Sequence, residues 1–255
     1  MRREYHKWFS AHLSRDMELL VFGHAGDPVL FFPTRTARFY DYEDWQVIDA
    51  LRKKIETGAI QIYCLDSVDK ESFYARDVHP AERIFRYFQY ERYVLEEVIP
   101  FVQQKNPHST LIAAGCSLGA YHAANFALKR ADLFPLALCF SGNYDPASWN
   151  GWGERGVAAY FNNPIDYVGH LDGDHLAWLR ERVSLLLVCG QGMWEDSTGS
   201  LPSTRQFAAL LGSKQLRHEL DLWGFDVPHD WPSWRAQLAH HLPRFCLMQP
   251  RRSSR

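Results

Sequence analysis

The sequence predicts an α/β fold: a mostly parallel central sheet of about eight strands with helices on both faces. Three observations predict it. After an opening hairpin, short apolar runs alternate with segments of helical spacing about five times. The runs are apolar throughout rather than at every second residue, as expected of strands covered on both faces. No internal repeat or low-complexity linker interrupts this order in 255 residues, a length that suits one large domain over 1–249. The tail Pro250-Arg251-Arg252-Ser253-Ser254-Arg255 is expected to be disordered and solvated.

The elements follow in order. Tyr5 to Ser10 and Met17 to Phe22 flank Ser14-Arg15-Asp16 and read as an antiparallel hairpin. Val29-Leu30-Phe31-Phe32, between Pro28 and Pro33, is a short buried strand. Trp45, Ile48, Leu51 and Ile55 recur at helical spacing and predict a helix over 44–55. Ile60 to Leu65 is the next strand. A long helix over 80–104 starts at Pro80, with Ile84, Phe88, Leu95, Val98 and Phe101 on one face. Pro100 is expected to kink it or end it early. Thr110 to Ala114 is a strand, 120–129 a helix and Leu136 to Phe140 a strand. The stretch 141–170 is polar and aromatic without clear period. It is too long for an ordinary connection and is expected to form a cap or pocket wall. Helix 171–182, strand 183–189, helix 204–211, strand 217–223 and helix 231–245 complete the chain.

Composition excludes several classes. A net charge of −2 gives no reason to expect nucleic acid or an anionic membrane surface as partner. No apolar run approaches about 20 residues, so no transmembrane helix is expected. Met1-Arg2-Arg3-Glu4-Tyr5-His6-Lys7 begins basic but has no apolar segment after it, unlike a signal peptide. Cys64, Cys116, Cys139, Cys189 and Cys246 show no CxxC spacing, and three sit in apolar runs where free cysteine packs as a small hydrophobe. Together these lead to the expectation of a cytoplasmic protein. No P-loop, GxGxxG or metal-spaced cluster occurs, so no cofactor or metal is expected.

Chemistry concentrates at Gly115-Cys116-Ser117-Leu118-Gly119, between an expected strand and an expected helix. There a tight turn would hold Ser117 at the carboxyl end of the sheet, at a helix N-terminus that favours developing negative charge. A serine hydroxyl needs a base to become a useful nucleophile. His229, in Gly224-Phe225-Asp226-Val227-Pro228-His229-Asp230, lies between the last strand and the last helix; His218, His240 and His241 fall within regular elements. An acid that orients the base would follow strand 183–189, where both Glu195 and Asp196 stand; Asp145, after the preceding strand, is a third candidate. The backbone N–H of Leu118 is the expected first donor of an oxyanion hole. Thr34 or Arg35, after the strand ending at Phe32, is expected to supply the second. Arg35 or Arg38, if turned to the pocket, would favour an acidic or polar substrate. Asp66, Ser72, Tyr74, His79, Trp149 and Trp152 are weaker candidates for pocket contacts, each with an ordinary structural role as the simpler reading.

With these residues in hand, the chain resembles the esterase group of the α/β-hydrolase superfamily that includes esterase D, or S-formylglutathione hydrolase, and is most similar to an uncharacterised bacterial esterase-like branch. The likeness rests on the elbow Gly115 to Ala120, on Gln191-Gly192-Met193-Trp194-Glu195, similar to a Gln-Gly-x-x-Asp acid loop, and on His229-Asp230-Trp231-Pro232-Ser233-Trp234. Glu4 to Ser10 with Met17 to Leu20 is similar to the opening hairpin of that branch. The resemblance implies an α/β-hydrolase fold, a triad of Ser117, Glu195 and His229, and hydrolysis of a small carboxylic ester through an acyl-enzyme. The preference for Glu195 over Asp196 comes from the Gln-Gly-x-x-acid spacing alone. The chain departs from the group in lacking a His-Gly run before the oxyanion position, so thiol-ester chemistry is not carried over. An acyltransferase, thioesterase or amidase could use the same triad, and a non-catalytic binding protein could retain the same fold. A small-molecule ester is the expected partner, with homo-oligomerisation left open.

Overall fold

The computed structural model describes residues 1–108, 110–149 and 156–246. The expected disordered tail and Trp152 therefore lie outside the described residues.

Strands β1 (Arg3–Ser10) and β2 (Arg15–Phe22) form the opening hairpin. Its turn occupies 11–14, with Ser14 at φ 52°, so Arg15 and Asp16 belong to β2 and pair with Ser10 and Phe9. Strand β3 (Asp27–Phe32) follows. The single helix expected over 44–55 is three short ones: α1 (Asp41–Asp44), α2 (Val47–Ala50) and α3 (Arg52–Glu56). Gln46, at φ 62°, turns the chain between the first two. That turn brings Tyr42, Val47, Ile48, Leu51 and Ile55 into one core, which a straight helix of this length would not do. Strand β4 (Ile60–Leu65) matches its apolar run.

Helix α4 (Pro80–Tyr93) runs through one wide π-helical segment (Val94–Val98) into α5 (Ile99–Lys105). Pro100 therefore does not end the helix. A proline lacks the N–H for the carbonyl four residues back and crowds it, and a wider turn relieves both. The same segment carries Glu97, which accepts hydrogen bonds from Trp8 Nε1 and Ser10 Oγ, each at 2.8 Å, and so ties the helix to the hairpin.

Strand β5 (Ile112–Cys116) starts later than the apolar run suggested and leads into α6 (Leu118–Lys129). Then come β6 (Leu136–Phe140) and a 3₁₀ turn at Pro146–Ser148. Short helices α7 (Val157–Tyr160) and α8 (Pro164–Gly169) precede α9 (Gly173–Arg182). Strand β7 (Ser184–Cys189), helix α10 (Ser200–Ser213), strand β8 (Arg217–Leu222) and helix α11 (Trp231–Phe245) close the fold.

The eight strands form one sheet in the order β1-β2-β4-β3-β5-β6-β7-β8. The β1·β2 and β2·β4 pairs are antiparallel and the remainder parallel. Alternation along β3 sends Leu30 and Phe32 into one core, beneath α4, α6 and α10, and Val29 and Phe31 into the other, beneath α1–α3 and α11. Burial on both faces explains the continuous apolar runs. The carboxyl ends of β3, β5, β6 and β7, with the loop after β8, meet at one edge, where open α/β sheets bind ligands. Among the described residues, no helix is long and apolar enough to cross a membrane.

Candidate active site

The turn between β5 and α6 sets the floor of the site. Ser117 has φ 55° and ψ −120°, a conformation that L side chains rarely adopt, and its amide donates to Phe140 O at 2.8 Å. Close approach explains the two glycines. A Cβ on Gly115 would lie 2.3 Å from backbone atoms of Gly119, and a Cβ on Gly119 would lie 2.3 Å from Phe32 O. The elbow is thus pressed against β3 with no room for side chains. Buried Tyr42 secures it further, donating to Phe32 O at 2.8 Å and accepting from the Cys116 amide at 3.1 Å. Burial pushes the ionisation of Tyr42 well above its ordinary value, so this hydroxyl stays a neutral donor.

His229 stands over this floor. Its Nε2 is 3.0 Å from Ser117 Oγ and its Nδ1 is 3.0 Å from Glu195 Oε2. With Nδ1–H donated to the carboxylate, Nε2 is left free to accept the serine proton. The loops bearing the two residues are bonded to each other through backbone. The His229 amide donates to Met193 O at 2.9 Å, and the Gly192 amide donates to Val227 O at 3.0 Å. A Cβ on Gly190 would lie 2.1 Å from Val227 O, so this approach also depends on glycine. Asp230 caps α11, its side chain accepting from the Trp231 amide, and the Trp234 ring meets the imidazole edge-on at 4.9 Å.

The carboxylate bonded to His229 is Glu195, which is fully buried. Its Oε1 accepts from Ser141 Oγ at 2.6 Å and from the Gly190 amide at 3.3 Å; Cys189 Sγ lies 3.3 Å from Oε2. Burial pushes the Cys189 thiol up, so it remains a neutral donor to the carboxylate. Ser141 in turn accepts from Trp234 Nε1 at 3.1 Å. A buried carboxylate is tolerable only when its lone pairs are satisfied in this way. Asp196, by contrast, is exposed. Asp145 caps the 3₁₀ turn and accepts from Asn163 Nδ2 at 2.7 Å.

The loop after β3, which lacks a recognisable motif, is held from outside itself. Thr36 has φ 55°. Its amide donates to Asp69 Oδ2 at 3.1 Å, Ser67 Oγ donates to Ala37 O at 2.8 Å, and Arg38 Nε donates to Asp66 Oδ1 at 2.8 Å. All three partners belong to the loop after β4. Asp69 also lies 3.7 Å from Nε2 of His122, a buried residue of α6, the helix that follows Ser117. Thr34 and Leu118 both line the cleft, and as the first residue of α6 Leu118 has no acceptor for its amide within the helix.

The cleft above Ser117 holds about 530 Å³. Of the weaker sequence candidates, Tyr74 and Trp149 line it; Asp66 is committed to Arg38, Ser72 Oγ donates to Val68 O, and His79 caps α4. Arg38 pairs with Glu18 and Asp66, whereas Arg35 faces the cleft. Sequence reasoning missed Arg76, Asn143, Ser148, Thr198 and Ser200 on the cleft walls, and Ser141 behind the acid. The aromatic residues beside His229 were signalled by Trp231-Pro232-Ser233-Trp234; the polar wall residues had no local signal. Among the described residues, no group of three or more His, Cys, Asp or Glu is disposed to hold a metal.

Comparison with known proteins agrees with this architecture. A family model described as "Putative esterase" matches residues 42–245. A solved ferulic acid esterase superposes with a TM-score of 0.73 at 18% identity, covering 96% of each chain. An S-formylglutathione hydrolase from Agrobacterium tumefaciens gives 0.76 at 15% identity, covering 96% of this chain and 94% of that one. FphF, a fluorophosphonate-binding serine hydrolase of Staphylococcus aureus, gives 0.71 at 16%, covering 96% and 98%. At these identities the superpositions establish the α/β-hydrolase fold. No curated protein sequence matches the chain.

Proposed function

The chain belongs to the "Putative esterase" family, and on that footing we propose that it hydrolyses a small carboxylic ester through an acyl-enzyme on Ser117. One observation carries the reading: the unbroken line from Ser117 Oγ through His229 to Glu195, 3.0 Å at each step, at the floor of an open cleft. Ser117 attacks the ester carbonyl while His229 Nε2 takes its proton. The tetrahedral oxyanion is held by the Leu118 amide and by the amide of Thr34 or Arg35. His229 returns the proton to the departing alcohol, leaving the acyl group on Ser117. Water, deprotonated by the same imidazole, releases the acid. Glu195 keeps Nδ1 protonated and stabilises the imidazolium. The bonds from Asp66, Ser67 and Asp69 take the place of a local motif in holding the oxyanion loop. The same reading takes the chain as one domain in which 141–170, of which 150–155 lie outside the described residues, forms a pocket wall through Asn143, Ser148 and Trp149.

The test is hydrolysis of short 4-nitrophenyl esters together with labelling by a fluorophosphonate. Saturable turnover and a label on Ser117, both lost in Ser117→Ala, are expected. Turnover that survives Ser117→Ala overturns the mechanism.

A further inference from the structure

The cleft has two chemically different sides. Trp149, Trp231 and Trp234 supply apolar surface. Arg35 and Arg76 bring positive charge to the edge formed by the loops after β3 and β4. The Arg35 guanidinium lies 5.8 Å from the ring centre of Tyr74, which also lines the cleft.

Neighbouring arginines show what is unusual about this pair. Arg15 and Arg86 are bonded to Glu71, Arg38 to Glu18 and Asp66, and Arg83 to the carbonyls of Val78 and Arg76. In this corner of the molecule guanidinium groups are matched to acceptors. Among the described residues, Arg35 and Arg76 have no carboxylate within ion-pair distance, and they are the two that line the cleft. Among the described residues, the carboxylate lining the cleft is Asp230, which caps α11 and keeps its charge, and Glu195 is buried behind His229. The edge of the cleft formed by the loops after β3 and β4 therefore presents two guanidinium groups, fork-shaped donors suited to carboxylate or phosphate oxygens.

We infer that the substrate is an ester carrying an anionic group, a carboxylate or a phosphate, that is bound by Arg35 and Arg76. This rests on the esterase reading and names its substrate class. Because Arg35 adjoins Thr34 in the oxyanion loop, the anion sits close to the scissile ester, which points to a compact substrate. An aromatic or other flat apolar part fits against the tryptophans.

The experiment compares matched esters differing in charge. One pair is 4-acetoxybenzoate and its methyl ester; a second is mono-4-nitrophenyl glutarate and 4-nitrophenyl pentanoate; a third sets 4-acetoxyphenyl phosphate against phenyl acetate. Rates are corrected for uncatalysed hydrolysis. In at least one pair the anionic member is expected to have a kcat/KM about tenfold higher, mainly through KM, as two charge-assisted contacts in a partly open site would give. That ratio should fall in Arg35→Gln and in Arg76→Gln, reach about one in the double variant, and shrink with added salt. Lys53→Gln, remote from the cleft, should leave it unchanged. Absence of any anionic preference in all three pairs, or a preference that survives the double variant, overturns the inference. Ser117-dependent hydrolysis of neutral esters without anionic preference defeats this inference alone. No hydrolysis of any ester defeats the esterase reading beneath it.

Discussion

The floor and the rim of the cleft are built by different means. At the floor, Ser117, His229 and Glu195 are fixed by backbone. The elbow is pressed onto Phe32 O, the acid loop onto Val227 O, and the His229 amide onto Met193 O. The carboxylate of Glu195 is buried and bonded by Ser141 just after β6, by Cys189 at the end of β7, by Gly190 just after it, and by His229. At the rim, Arg35, Arg76, Ser148 and Thr198 are exposed side chains on loops, and Trp149 is half-buried against Phe73 and Tyr121. On the proposed mechanism the contrast separates two tasks. Proton transfer requires geometry held within a few tenths of an ångström, whereas substrate choice needs only groups of suitable charge and shape around the opening.

Substitutions at the floor and at the rim should therefore differ in both size and kinetic signature. The largest effect is expected for His229→Ala, which removes the proposed base: kcat for a 4-nitrophenyl ester should fall by about 10⁴-fold or more, with thermal unfolding little changed. Next is Glu195→Gln, expected to lower kcat by about 10³-fold because the amide can present the wrong partner to Nδ1. Asp196→Asn, one residue away and exposed, should stay within about twofold; comparable losses in the two variants would erase the distinction drawn here.

Asp69 lies between floor and rim, and Asp69→Ala leaves the Thr36 amide without its acceptor. A lost bond of about 1–2 kcal/mol should appear as roughly a tenfold drop in kcat with KM nearly constant. Asp69→Asn, which keeps an acceptor oxygen, should recover most of that loss. A change confined to melting temperature would assign Asp69 to the fold rather than to the oxyanion loop. The smallest effect belongs to Trp149→Ala, expected to raise KM by a few-fold for aromatic esters and to leave kcat within about twofold. A collapse of kcat there would move the boundary between floor and rim.

The same contrast explains what could be read from the sequence. The apolar strands and the elbow were legible because their constraints are local: burial on both faces writes a continuous apolar run, and close backbone approach writes Gly115-x-Ser117-x-Gly119. The loop after β7 offered Glu195 and Asp196, with Glu195 preferred on the Gln-Gly-x-x-acid spacing alone and Asp145 as a third candidate. Choosing Glu195 over Asp196 depends on which one turns inward to Ser141 and Gly190, residues that lie 54 and 5 positions away. The split of 44–55 into three helices was hidden because helical spacing does not record that Gln46 turns the chain. Pro100 was expected to end or kink the helix, which continues past it after one widened turn. The rim left almost no trace: Arg76, Asn143 and Thr198 are ordinary loop residues until the topology gathers them, and the hold on the loop after β3 comes from the loop after β4, about 30 residues further along the chain.

The most direct test of the account is the mass of the intact protein during turnover of a slowly deacylating 4-nitrophenyl ester. A burst of nitrophenol equal to the enzyme concentration is expected, with one acyl group added per chain and located by peptide mapping on Ser117. Turnover without a burst or adduct under conditions that trap acyl-enzymes, or an adduct on any other residue, would contradict it.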